Sequence, residues 1–342
     1  MRSCLTCRGT RPLRTSARIA QCAPLIAKSA RSTLEPEMPP LVDAEWLKSR
    51  LGQPDIKILD GSWYLPPQGR DGQVEYRSAR IPGALFFDVE RICDLSSSLP
   101  HMLPPAPSFA AAMDALGIRN QDTVVVYDGM GVFSAPRVWW TLKVYGHDRV
   151  VVLDGGLPAW KAVGGPVDDS PVTPEQVEAG ARAVAACSGP SPQQLASSYV
   201  AQLDTSKVRS LQDMLGNISA GEDTREQVVD ARPAGRFVGR DPEPRPGLRK
   251  GHIPGARNLP FATLLEDGRY KNQAALTAAF AEAGIDLNKP VVGSCGSGLT
   301  ACIVALAANQ LTGKVMPVYD GSWSEWGARD DLPVSTQLGS DA

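Results

Sequence analysis

The chain repeats itself, and that repetition restricts its fold more than any other feature. Ile58-Leu59-Asp60 returns as Val228-Val229-Asp230, and Arg80-Ile81-Pro82-Gly83-Ala84 returns as His252-Ile253-Pro254-Gly255-Ala256. Val124-Val125-Val126-Tyr127-Asp128 aligns with the stretch from Val291 to Cys295. Leu153-Asp154-Gly155-Gly156-Leu157-Pro158-Ala159-Trp160 aligns with Tyr319-Asp320-Gly321-Ser322-Trp323-Ser324-Glu325-Trp326. Four matches in one order, about 170 residues apart, indicate one folding unit written twice. Each copy alternates short Val/Ile-rich runs with helical patterns, such as residues 109–117 and 276–284. This is the pattern of an α/β domain whose mainly parallel sheet is flanked by helices. The predicted organisation is a first domain at 40–165, a connector at 166–206 and a second domain at 207–335. The connector is rich in Pro, Ser, Ala and Gly and is expected to carry local helix.

A chain of 342 residues suits two domains of ordinary size. Its net charge of −2 gives no reason to expect nucleic acid as a partner, and no run is long and apolar enough to span a membrane. Seven cysteines, at 4, 7, 22, 93, 187, 295 and 302, are odd in number and irregularly spaced, which argues for a reducing compartment. No metal or cofactor motif is present, and Cys4-x-x-Cys7 has no second pair at metal-site spacing. Residues 1–34 hold seven basic and no acidic side chains, so their removal would take the net charge from −2 to −9. Basic, Ser-containing and acid-free, this segment reads as a mitochondrial transit peptide rather than a flexible basic tail, which implies a matrix location with a cytoplasmic pool beside it.

The chemistry concentrates in Cys295-Gly296-Ser297-Gly298-Leu299-Thr300. These residues follow the β-type run Pro290-Val291-Val292-Gly293-Ser294 and open an apolar stretch, residues 299–311, long enough for a helix. A cysteine between a strand end and a helix start faces a ring of backbone N–H groups and the positive end of a helix dipole. That setting draws a thiol pKa from about 8.5 toward neutrality and makes a nucleophilic thiolate. The glycines let the backbone close around the sulfur. The first repeat has Asp128 where the second has Cys295. Since an aspartate cannot carry a persulfide, only the second domain is expected to do thiolate chemistry. The first should serve as scaffold and supply one wall of the cleft.

From about Leu41 to Val334 the chain resembles the tandem-domain sulfurtransferases of the rhodanese superfamily, on the Cys-Gly-Ser-Gly-Leu-Thr loop above all. Within them it is similar to the branch that uses 3-mercaptopyruvate, because the thiosulfate branch carries Cys-Arg-Lys-Gly. The resemblance implies two tandem rhodanese-like α/β domains and a Cys295 persulfide, with sulfur passed to thioredoxin, a small thiol or cyanide. It implies that Arg236 and Arg245 hold the substrate's carboxylate and keto oxygen, a task suited to guanidinium forks. On residue type alone, these arginines equally fit surface charges balancing Asp241 and Glu243. Backbone amides of Gly296, Ser297, Gly298, Leu299 and Thr300 are expected to cradle the transferred sulfur. The family's Ser–His–acid relay falls on Ser297, His101 and Glu90, where this chain has glutamate in place of the family's aspartate. Arg232 and Arg240 are read as structural or rim residues, His252 and Trp139-Trp140 as packing, and Cys302 as an inner residue of the helix. The reading requires a solvent-reachable Cys295 with both guanidinium groups facing it. Competing readings are a thiosulfate:cyanide sulfurtransferase, a persulfide relay protein for tRNA thiolation, and a cysteine phosphatase. The last is opposed by Ala301, which stands where a Cys-x5-Arg loop needs arginine. A monomer is expected.

Overall fold

The computed structural model describes residues 38–188, 197–221 and 224–336. The transit-peptide assignment, with Cys4, Cys7 and Cys22, lies outside the described residues. The first repeat runs β1 (Leu41–Val42), α1 (Ala44–Lys48), β2 (Ile56–Asp60), α2 (Gly72–Ser78), β3 (Leu85–Phe86), α3 (Ala106–Ala115), β4 (Thr123–Tyr127), α4 (Ala135–Val144), β5 (Val150–Leu153) and α5 (Gly156–Ala162). The connecting helix α6 (Pro174–Ser188) buries Ala179, Ala183, Val184 and Cys187, a helical stripe that packs against α3. The second repeat follows as β6 (Val208–Arg209), α7 (Leu211–Ser219), β7 (Gln227–Asp230), α8 (Ala234–Phe237), β8 (Arg257–Asn258), β9 (Leu265–Glu266), β10 (Arg269–Tyr270), α9 (Gln273–Glu282), β11 (Val291–Ser294), α10 (Ala301–Thr312), β12 (Val318–Tyr319) and α11 (Ser322–Trp326).

The two five-stranded sheets are parallel and have the same topology, β1-β5-β4-β2-β3 and β6-β12-β11-β7-β8. Every residue of β4 and β5 is buried. A parallel sheet covered by helices on both faces demands such unbroken Val-rich runs, because neither face meets water. The repeat extends to details outside the strands. Arg80 forms an isolated bridge with Asp168, and His252 forms the corresponding bridge with Ser335. Each Ile-Pro-Gly turn is thereby fastened by a segment that comes after its own sheet in the sequence.

The halves share one core. Helices α4 and α10 are buried almost all round and pack against each other, and a single apolar cluster takes residues from both repeats. Trp139 and Trp140 lie in it at 0% exposure, each indole removing roughly 150–250 Å² from water.

Candidate active site

Cys295 lies at the carboxyl end of β11, where an α/β sheet places its ligands. Its loop is pinned from outside. Ser322 Oγ accepts from Cys295 N at 3.2 Å, Trp323 N donates to Cys295 O at 3.0 Å, and Ser324 donates to Gly296 O from N (2.8 Å) and Oγ (2.7 Å). Gly298, at φ +71°, makes the reversal that leads into α10. A side chain there would meet Asp320 O and Arg137 Nη1, each 2.9 Å from the Cβ position. Among the described residues, the amides of Gly296 through Thr300 donate to no protein acceptor.

The first repeat has this cradle already filled. Asp128 Oδ1 accepts from Met130 N at 2.9 Å, and Oδ2 accepts from Phe133, Ser134 and Ala135 N at 2.8–2.9 Å. Leu157 N donates to Asp128 O just as Trp323 N donates to Cys295 O. In one copy a carboxylate occupies the ring of amides; the other copy has Cys295 at the matching position.

The repeats are completed by each other. The β9–β10 hairpin reaches the Asp128 loop, where Tyr270 N donates to Asp154 Oδ1 at 3.0 Å and Gly268 (φ +73°) packs on Gly131. In the reverse direction, Leu103 N donates to Asp320 Oδ2 at 2.8 Å, and His101 (φ +62°) stands two residues earlier, as Gly268 does before Tyr270. Its Nδ1 lies 3.1 Å from Ser297 Oγ. The expected serine–histidine pair is therefore formed between the repeats. Burial, with the positive charges of Arg137 and Arg245 adding to it, pulls the imidazole pKa down to about 3. His101 is thus neutral near pH 7.

Arg137 carries no local sequence signal of its role. At 3% exposure it crosses between the repeats, donating to Asp320 Oδ1 at 2.7 Å, to Gly298 O at 3.1 Å and to the carbonyl of His101. Its guanidinium also sits over the Trp140 ring, 4.7 Å from the centroid. Only the basic residue type was visible beforehand, since its acidic partner is 183 positions away.

The two proposed anion-binding arginines differ. Arg236 lies over the loop, with Nη2 3.2 Å from the Cβ position of Gly296. Its Nε and Nη2 are taken by Glu243 Oε2, so it does balance a neighbouring acid. Glu243 Oε1 and Asp230 in turn hold the buried Arg232, which is structural as read, and Arg240 is an exposed rim residue. Arg245 has no hydrogen-bond or ion-pair partner among the described residues. Half-buried, its guanidinium is pulled below the ordinary arginine value by desolvation, against the opposing charges of Cys295 and Glu90.

Two expectations need correction. Glu90 does not bond to His101: its Oε1 accepts from Trp63 Nε1 at 2.9 Å, because the glutamate reaches the indole instead. Cys295 is 1% exposed, where an accessible thiol was anticipated. The buried sulfur does not meet the solvent-reachable condition set by the sequence; Arg236, held by Glu243, lies beside its loop. Cys302 is fully buried, its thiol pushed well up by desolvation and its Sγ 3.2 Å from Gly298 O. His252 stacks on Phe237 with centroids 3.6 Å apart and is also structural.

The fold is a duplicated α/β unit with a cysteine at the end of the central strand in one copy and a carboxylate at the matching position in the other. The chain belongs to the rhodanese family: the rhodanese-like domain matches residues 43–163 and 210–329. It is 44% identical over 299 residues to the "Thiosulfate/3-mercaptopyruvate sulfurtransferase 1, mitochondrial" of Arabidopsis thaliana, covering 87% of this chain and 78% of the relative. It is 43% identical to the 3-mercaptopyruvate sulfurtransferase of Rattus norvegicus, covering 84% of this chain and 91% of the relative. The crystal structure of SseA from Escherichia coli, described as a 3-mercaptopyruvate sulfotransferase, superposes with a TM-score of 0.70 at 36% identity, covering 84% of this chain and 99% of that one.

Proposed function

We infer that this enzyme transfers sulfur from 3-mercaptopyruvate to a thiol acceptor or cyanide, with a persulfide on Cys295. The observation that carries this reading is the half-buried Arg245, without an ion-pair partner among the described residues and within electrostatic reach of Cys295. A substrate carboxylate supplies the partner that this guanidinium lacks. In the first step, the Cys295 thiolate attacks the substrate sulfur. An S–S bond forms, the C–S bond breaks, and its electron pair leaves as the enolate of pyruvate. Protonation of that enolate at carbon gives pyruvate, assisted by Ser297 and the neutral His101. The loop amides stabilise charge on the outer sulfur as they would an oxyanion. In the second step, an acceptor thiolate takes that sulfur and restores the Cys295 thiolate. Thioredoxin and small thiols fit the acceptor role, and a single chain containing the whole site fits a monomer.

Arg245→Gln is expected to raise KM for 3-mercaptopyruvate about 10- to 100-fold, the size of a charge-assisted interaction. A smaller loss is expected with thiosulfate, a donor that the Arabidopsis relative's name also carries. Steady-state kinetics with both donors test this, and equal losses would count against the assignment. For residues 1–34 we propose mitochondrial targeting to the matrix. A full-length chain tagged at its C-terminus should fractionate with mitochondria and lose its N-terminus; retention in the cytosol, uncut, would refute this.

A further inference from the structure

We propose that Glu90 is a positioning residue that acts through Trp63, and that it exchanges no proton with His101. Three contacts form a line. Ser297 Oγ faces His101 Nδ1 at 3.1 Å, the His101 ring meets the Trp63 ring edge to face at 4.9 Å and 82°, and Trp63 Nε1 donates to Glu90 Oε1 at 2.9 Å. The indole is further fixed by its backbone, whose N–H donates to Ser134 Oγ at 3.0 Å, and by stacking on Phe133 at 6.3 Å. A ring anchored at three points can hold its neighbour in one orientation. Glu90 Oε1 takes the indole N–H, and among the described residues neither carboxylate oxygen bonds to His101, whose Nδ1 faces Ser297. The indole N–H in turn has no proton to give near neutral pH, so the line conducts position and not protons. The electrostatics agree. A carboxylate bonded to the imidazole would favour its charged form, whereas His101 is kept neutral by burial and by Arg137 and Arg245. The charge of Glu90 is instead felt by Arg245, where it competes with an anionic substrate.

This rests on the reading that Ser297 and His101 manage the proton, and the test separates the two. Steady-state kinetics with 3-mercaptopyruvate and 2-mercaptoethanol would compare the full-length wild type with E90Q, E90L, W63F, W63F/E90L and H101N. Glutamine keeps an oxygen for the indole N–H and loses the charge, so E90Q should hold kcat within about threefold and lower KM. E90L and W63F should each lower kcat by about tenfold, the scale of one aromatic contact. Because both break the same link, the double variant should fall no further than W63F. A loss of about 100-fold or more in E90Q, the scale of general acid–base catalysis, would restore the acid relay and overturn the proposal. Additive losses in the double variant, or a wild-type kcat in E90L, would also overturn it. H101N with unchanged kcat would instead reject the proton role of His101, whatever Glu90 does. Should E90L fail to fold, E90Q and W63F still decide the matter.

Discussion

Cys295→Ser is expected to abolish sulfur transfer and leave the fold in place. The serine hydroxyl is close to isosteric with the thiol, and the contacts that pin this residue run through its backbone N and O. Its pKa, however, lies far above that of any thiol, so no anion forms at neutral pH and no persulfide can be held. Turnover should fall by at least about 10⁴-fold, the loss that follows removal of a covalent nucleophile. The melting temperature should move by no more than about 5 °C, as for a change of about 1 kcal/mol or less. Intact mass spectrometry after 3-mercaptopyruvate should find one added sulfur on the wild type and none on the variant. Residual turnover near the wild-type rate would eliminate the persulfide scheme.

Arg137→Met should have the largest structural effect. It leaves Asp320 charged, buried and without its cation, and removes donors from Gly298 O and His101 O. Breaking a buried ion pair from one side costs about 3–5 kcal/mol, chiefly because the other charge is stranded. Urea denaturation should show this loss. A second change, Asp320→Asn, should recover part of the stability by removing the stranded charge while keeping an oxygen for Leu103 N. Activity should not recover, because Gly298 and His101 still lack their shared tether. A stable single variant, or a double variant with restored kcat, would show that Arg137 does not hold the site together.

The sheets were readable from sequence because fully covered parallel strands leave an unbroken apolar signature, as in β4 and β5. Helix starts are less legible. Residues 109–117 were expected, and α3 begins at Ala106, because Pro107 in the first turn is compatible with a helix that an apolar count does not register. The opposite occurred at 299–311: Leu299 and Thr300 remain in the loop around the sulfur, and α10 begins at Ala301. Cys295 was legible because a cysteine between a strand and a glycine-rich turn is locally unusual. The pairing of Ser297 with His101, 196 positions apart, came through the family resemblance alone. Arg137 and Trp63 were not found, since their roles exist only once the two repeats are docked. Glu90 was found with the wrong partner, since residue type does not reveal which of two neighbours a longer side chain will reach.

Two of the positive-φ positions, His101 and Gly268, are counterparts in the docking of the repeats. Each projects from one copy into the other copy's loop, yet only one bears a functional group. The first copy holds a carboxylate where the second holds its cysteine, and it supplies an imidazole and a guanidinium to the second copy's loop. A harmful variant in the first half can present as an enzyme defect, and the second half expressed alone inherits the sulfur-bearing residue without the partners that make it useful.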